Sequence, residues 1–260
     1  MSLPDELLEV ARRAAAAAGE ELLARFGATA TGVDAKSSHT DLVSDADRAA
    51  QEAIVQIIAA ARPADALLAE EGASAEGTSG VRWVVDPLDG TTNFLWGIPH
   101  WAVSIAAVGP DGGLAAVVLD PCGDECFAAA RGRGAWLGDR RLSVTRPTAL
   151  DEALVGTGFN YSAAERARQA ERLVRVIPLV RDVRRFGAAA LDLAWTAAGR
   201  LDAFCERGLE VWDWSAGALL VTEAGGTVEM LEAAPPRPAG VVAGHRDIVP
   251  GVRALFEDAV

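Results

Sequence analysis

The sequence predicts an α/β fold of layered sheets and helices. Three observations carry that expectation. An Ala-rich segment with helical rhythm opens the chain. Strand-like runs from residue 102 to 130 are joined by the hairpin turn Gly109-Pro110-Asp111-Gly112-Gly113. From residue 153 onward, strand and helix patterns alternate.

In order along the chain, Leu7, Leu8, Ala11, Ala15, Leu22, Leu23 and Phe26 mark a helix over residues 3–26, stopped by Gly27. Residues 28–43 read as a polar loop. Ser44 reads as an N-cap, with Asp45 and Asp47 in the first turn of a helix running to about Ala61. Residues 66–69 form a short strand ending at Glu70-Glu71-Gly72, and residues 73–80 read as a flexible stretch. Residues 81–85 form a buried strand that ends at Asp86. Strands follow at 102–108, 114–119 and 126–130, then a turn and strand over 131–136. The second half predicts strands at 153–157, 182–185, 201–205, 227–230 and 241–243. Its helices fall at 163–176, 187–198, 212–224 and 248–259, and the Pro-rich 233–238 is a surface turn. No internal repeat or long linker interrupts the pattern. A single domain over residues 1–260 is expected, with sub-lobes of about 1–148 and 149–260.

Composition narrows the function. Half of the 260 residues are hydrophobic and 23% are charged, which suits a packed core. A net charge of -13 argues against direct nucleic-acid binding, although bound metal can reverse the sign locally for an anionic substrate. Lys36 is the only lysine, which reads either as a general bias toward arginine or as a place where an arginine fork would not fit. Cys122, Cys126 and Cys205 read as free thiols, and His39, His100 and His245 form no metal or triad pattern. The acidic N-terminus has no secretory signature and no apolar run spans a membrane, so a cytoplasmic setting is expected. Six of the tryptophans, at 83, 96, 101, 195, 212 and 214, read as core or interface packing.

The segment Asp86-Pro87-Leu88-Asp89-Gly90-Thr91-Thr92-Asn93-Phe94 concentrates two carboxylates, a glycine turn and two hydroxyls at a buried strand end. A divalent cation would convert the repulsion between Asp86 and Asp89 into attraction, and a phosphate could complete its shell. Asp47, Glu70 and Asp213 also stand at element ends. Taken singly, Asp47 and Asp213 are equally well read as helix N-terminal acids, and Glu70 as a solvated one. The spacing of Asp86 and Asp89, three apart, is wrong for an aspartyl-phosphate enzyme whose second Asp follows two residues after the nucleophile. A Walker loop and a Cys-x5-Arg loop are both missing.

These residues resemble the inositol monophosphatase family. The segment 86–94 is similar to that family's first motif, and Trp212-Asp213-Trp214-Ser215-Ala216-Gly217 to its second. Glu70-Glu71 stands at the family's spacing ahead of the first motif, and residues 36–47 resemble its mobile loop and the helix start that follows. Residues 187–192 and Glu206 resemble its substrate side. The resemblance runs from roughly residue 5 to 255.

It implies a five-layer αβαβα sandwich of the inositol monophosphatase and fructose-bisphosphatase type, usually a homodimer, lithium-sensitive and using two or three Mg²⁺ ions. By similarity, Glu70, Asp86, Asp89, Asp213 and the Leu88 carbonyl are metal ligands. Thr91 and Asp47, helped by Glu70, would position and deprotonate the attacking water. Gly90 and Thr91 amides would face the phosphate. Gly187, Ala188, Ala189, Glu206 and Asp213 would bind substrate, and Lys36 would belong to the mobile loop. Ala188 stands where many members carry Ser or Thr.

The implied activity is Mg²⁺-dependent hydrolysis of a small phosphate monoester, myo-inositol 1-phosphate first, by direct attack of a metal-activated water. L-Histidinol phosphate, fructose 1,6-bisphosphate and 3′-phosphoadenosine 5′-phosphate are the alternative substrates. Some bacterial relatives serve as RNA-related accessory factors, which gives a non-catalytic alternative.

Overall fold

The computed structural model describes residues 2–36, 42–147, 149–235 and 237–257. Residues 37–41 of the expected mobile loop lie outside them, as do residues 258–260 at the end of the expected final helix.

The chain opens with α1 (Leu3–Leu23), whose Ser2 cap and Asp5 form a reciprocal capping box. A two-stranded ladder follows, β1 (Asp34–Ala35) against β2 (Leu42–Val43), where the sequence reads as loop. Ser44 then caps α2 (Asp45–Ala61), again through a capping box, here with Asp47. β3 (Ala66–Ala69) pairs with β4 (Ser74–Ala75) on one side and in parallel with β5 (Arg82–Asp89) on the other. The expected flexible stretch 73–80 is therefore partly an edge strand, because the outer backbone groups of β3 need partners. Its Gly77 lies so close to β3 that a Cβ would fall 2.2 Å from Ala66 N.

β5 also runs further than expected, through Asp86 to Asp89. Asp86 is thus inside the strand, not at its end. A register shift against the next strand falls between Asp86 and Asp89. Such a bulge re-aims side chains at a sheet rim. After it come α3 (Thr91–Leu95), then β6 (Ala102–Gly109), β7 (Gly112–Asp120), β8 (Glu125–Ala130), β9 (Gly134–Leu137) and β10 (Arg140–Arg141), an antiparallel meander.

The second half supplies β11 (Leu154–Gly156), α4 (Ala163–Val176), β12 (Asp182–Arg184), α5 (Ala189–Ala197) and β13 (Ala203–Arg207). It ends with α6 (Val211–Glu223), β14 (Thr227–Leu231), β15 (Gly240–Gly244) and α7 (Val249–Glu257). Strands β3 to β10 make one sheet of eight, and β11 to β15 one of five in the order β12-β11-β13-β15-β14.

Helices α1 and α2 pack together on the outer face of the eight-stranded sheet. Helices α5 and α6 lie between the two sheets, and α7 covers the far face of the second. This is the αβαβα order. Helix α6 is apolar enough to be covered on both sides, burying Ala216, Leu219, Leu220 and Val221. Trp83 and Trp101 are fully buried in the core, whereas Trp96 is 67% exposed and packs in no core.

Candidate active site

The β5 bulge, the start of α3, the start of α5, the end of β13 and the start of α6 meet around a cleft of about 480 Å³. Glu70, Asp86, Leu88, Asp89 and Asp213 line one part of it. Gly90, Thr91, Gly187, Ala189 and Glu206 line another part, and Lys36 reaches in from the first ladder.

Two expected residues do not line the cleft. Asp47 lies behind it, 1% exposed, and touches it only through Thr91. Ala188 is also 1% exposed, and its side chain belongs to the apolar core beneath α5 rather than to the cleft. Its side chain sits under Gly90, where a Cβ would come within 3.2 Å of it. Gly90 has φ +90 and is equally close to His100 O, so this turn accepts only glycine without strain.

Each acid has a local partner. Asp86 Oδ1 accepts from Leu88 N at 2.9 Å, which holds the bulge. Asp89 reaches across to the start of α5 and accepts from Ala189 N at 3.2 Å and Ala190 N at 2.7 Å. Asp213 Oδ2 accepts from Glu210 N at 2.7 Å, the capping box of α6. Glu70 Oε1 accepts from Lys36 Nζ at 2.7 Å, and Lys36 also pairs with Glu71. Thr91 Oγ1 is 3.1 Å from Asp47 Oδ1 and 3.0 Å from the Leu88 carbonyl oxygen.

Burial, then the Glu70, Asp89 and Asp213 charges, pushes the Asp86 carboxyl well above the usual range. Burial with the Asp89 and Glu70 charges does the same to Asp213. Burial, with Asp192 and Glu70 adding repulsion against the Ala190 amide, lifts Asp89 to about 7. Burial lifts Glu206 to about 8, with Asp192 adding to it and Arg185 opposing it. Burial also raises Asp47, against hydrogen bonds from Ser44 and Thr91. For Lys36, burial pulls the ammonium down, but Glu70 and Glu71 together hold it above its ordinary value.

Buried carboxylates that repel one another form a donor set for a hard cation. The fit lies in their chemistry and shared cleft. Among the described residues, no three of them already meet as a ready-made ligand shell. Each is turned instead toward the partner named above.

Sequence reasoning missed a second tier. His100 Nε2 lies 3.6 Å from Asp192 Oδ1, and the His100 ring packs against Phe186 and Trp195. Burial lifts Asp192 to about 6, against the pull of His100. Arg185 lines the cleft and stacks over Phe159 at 5.8 Å. Only the position of Asp192, one turn into a helix whose start faces the motif, signalled any of this.

The family model of the inositol monophosphatase family matches residues 3–257. The inositol-1-monophosphatase of Rhizobium meliloti is 42% identical over 255 residues, covering 96% of each chain. The Nus factor SuhB of Pseudomonas aeruginosa is 45% identical over 232 residues, covering 85% of this chain and 84% of its own. The crystal structure of extragenic suppressor protein suhB from Bartonella henselae matches with a TM-score of 0.90 at 38% identity, covering 98% of this chain and 99% of that one.

Fold and relatives together define a phosphoric monoester hydrolase. No helix among the described residues is long and apolar enough to cross a membrane. The chain belongs to the inositol monophosphatase family.

Proposed function

We propose that the chain is a Mg²⁺-dependent phosphatase of small phosphate monoesters, with myo-inositol 1-phosphate as the first substrate. The carrying observation is one cleft that holds four acids, Glu70, Asp86, Asp89 and Asp213, beside the Thr91–Asp47 pair. These acids and the Leu88 carbonyl would hold two or three Mg²⁺ ions, which would supply charge for the phosphate and acidify water.

The chain's own residues do the rest. Asp47 accepts the Thr91 proton, which turns the Thr91 oxygen lone pairs toward a water in the cleft. As that water attacks phosphorus, its proton passes to Thr91 Oγ1 while the Thr91 proton moves to Asp47, with Glu70 assisting; the bond from phosphorus to the ester oxygen breaks, and the leaving alkoxide takes a proton from water in the cleft. Burial raises Asp47 and so strengthens it as a base. Gly90 and Thr91 amides at the start of α3 face the phosphate oxygens. Glu206 and Asp213 accept hydrogen bonds from substrate hydroxyls, and the Gly187 and Ala189 backbone closes that side.

Glu206 and Glu210 on the cleft wall favour a polyol over a second phosphate, and the Arg185 charge is opposed by Glu206. The test ranks inositol 1-phosphate, L-histidinol phosphate, fructose 1,6-bisphosphate and 3′-phosphoadenosine 5′-phosphate by kcat/KM. A bisphosphate in first place overturns the polyol reading.

The proposal extends to one functional domain over residues 1–260, a homodimer, lithium inhibition and a cytoplasmic setting. Light scattering and an activity titration with LiCl check the dimer and the inhibition. A second reading, as an accessory factor, rests on the Nus factor relative. The net charge of -13 disfavours direct RNA contact in that role. Copurification with an inactive Asp89→Asn copy separates the two roles.

A further inference from the structure

A second cavity, of about 390 Å³, lies between α4 and β13, beside the end of α7. Its walls carry Arg168, Arg172, Arg175, Arg207 and Arg237. In a chain of net charge -13, such a concentration of cations needs a cause.

Arg168, Arg172 and Arg175 fall at successive turns on one face of α4. Like charges at that spacing destabilise a helix. Arg168 is neutralised by Glu165, with Nε at 2.9 Å and Nη2 at 2.6 Å from Oε2. Arg207 Nη2 lies 3.5 Å from Glu257 Oε1, a carboxylate that Arg253 also bonds, and Arg172 pairs with no acid among the described residues. Arg172 Nη1 and Arg207 Nε are buried and have no hydrogen-bond partner among the described residues.

The Arg207 side chain is only 9% exposed. Its Nη1 donates to the Glu232 carbonyl at 3.1 Å and the Pro238 carbonyl at 2.7 Å, which fixes the guanidinium plane and leaves Nε aimed at no protein atom. Burial, then Arg237, Arg207 and Arg175, pushes the Arg172 guanidinium below its ordinary value. Buried donors on clustered cations are costly unless an anion meets them.

The cavity has two further properties. Five arginines against Glu165, Glu171 and Glu206 leave two formal positive charges in excess. Phe159, Leu173 and Phe256 supply apolar wall. The first suits a dianion, and the second suits an apolar body attached to it.

We propose that this cavity is a second ligand site, for a small phosphate-type dianion with an apolar body, its head group held by Arg172 and Arg207. It is separate from the acidic cleft, yet Phe159 and Glu206 line both. Successive residues Cys205, Glu206 and Arg207 of β13 form the shared wall. A ligand there therefore presses on the back of the wall that presents Glu206 to the cleft.

The probe is phenylphosphonate, whose carbon–phosphorus bond a phosphate monoesterase does not cleave. The full chain, stripped of metal with EDTA, is titrated by calorimetry. Saturable one-site binding is expected. Arg172→Gln and Arg175→Gln, which break no side-chain hydrogen bond among the described residues, should weaken it about tenfold or more. Asp213→Asn in the cleft should leave it unchanged, and phenol should not bind. Binding that survives both arginine substitutions, that is altered by Asp213→Asn, or that never saturates overturns the site. Activity is not read, so failure here leaves the phosphatase reading intact, and failure of the substrate panel leaves this site intact.

Discussion

Thr91 Oγ1 stands 3.1 Å from Asp47 Oδ1, joining the first turn of α3 to the first turn of α2. Asp47 is held on its other oxygen by Ser44, whose N donates at 2.8 Å and whose Oγ donates at 2.6 Å. The pair is therefore fixed at both ends before any substrate arrives. Thr91→Ala and Asp47→Asn should each lower kcat by roughly 10²–10⁴ with little change in KM, the range for losing general-base assistance. Thr91→Ser should retain most activity. Steady-state phosphate release measures all three, and a Thr91→Ala enzyme at wild-type kcat sinks the proton relay.

Asp89 has two duties that substitutions can separate. Its carboxylate meets the Ala189 and Ala190 amides at the start of α5. Asp89→Ala should cost about 1–3 kcal/mol of stability, as for lost hydrogen bonds to a charged group. Asp89→Asn keeps one acceptor oxygen and should recover part of that stability but not activity. Urea unfolding in EDTA, run beside phosphate release, checks both halves. An active Asp89→Asn enzyme removes Asp89 from the metal set.

Stability should fall with rising pH when metal is absent. Asp89 goes from an ordinary 3.8 to about 7 in the fold, and Glu206 from 4.5 to about 8. A raised folded value means the native state holds the proton more tightly than the unfolded chain. The contribution is full below about pH 4 and is lost as pH climbs through the folded values. In EDTA, Tm should drop between pH 5 and pH 8 by this route. Added Mg²⁺ should restore it more at pH 8 than at pH 5, by about 2.7 kcal/mol at a hundredfold excess over Kd. A metal-induced Tm rise that is equal at both pH values contradicts this.

Lys36 Nζ bonds Glu70 Oε1, the same carboxylate assigned to metal. The ammonium and the cation therefore compete for Glu70. Lys36→Gln should lower the half-activating Mg²⁺ concentration by about two- to fivefold, matching the modest strength of a half-exposed pair. The readout is the activation midpoint at saturating substrate. An unchanged or higher midpoint assigns Lys36 to the phosphate instead.

The helices were legible because their signals are local. Ser44, Asp45 and Asp47 gave the start of α2, and the 163–176 rhythm matches α4 at both ends. Of the cleft, Asp86, Asp89, Glu70 and Asp213 stood out as acids at element ends, whereas Thr91 and Glu206 came only from the resemblance to the family. Four features were not legible. The β4 edge strand depends on a neighbour's unpaired backbone rather than on its own pattern. The β5 bulge is visible only in register with β6. Ala188 was assigned to substrate because residues 187–192 resemble the family's substrate side, but its extended N-cap backbone puts its side chain in the core while Gly187 and Ala189 line the cleft. His100 and Asp192 are far apart in sequence and meet only because α5 is threaded between two sheets.

Asp89 and its two amides are a hundred residues apart along the chain. Glu206 and Asp213 come later still. As the polypeptide leaves the ribosome, its first sheet can form while the cleft has only one bank. A fragment ending before residue 187 would carry the whole first motif and yet lack Gly187, Ala189, Glu206 and Asp213 of the opposite bank. On the proposed assignment, turnover requires synthesis to pass Asp213, and a chain released earlier should hydrolyse no phosphate ester.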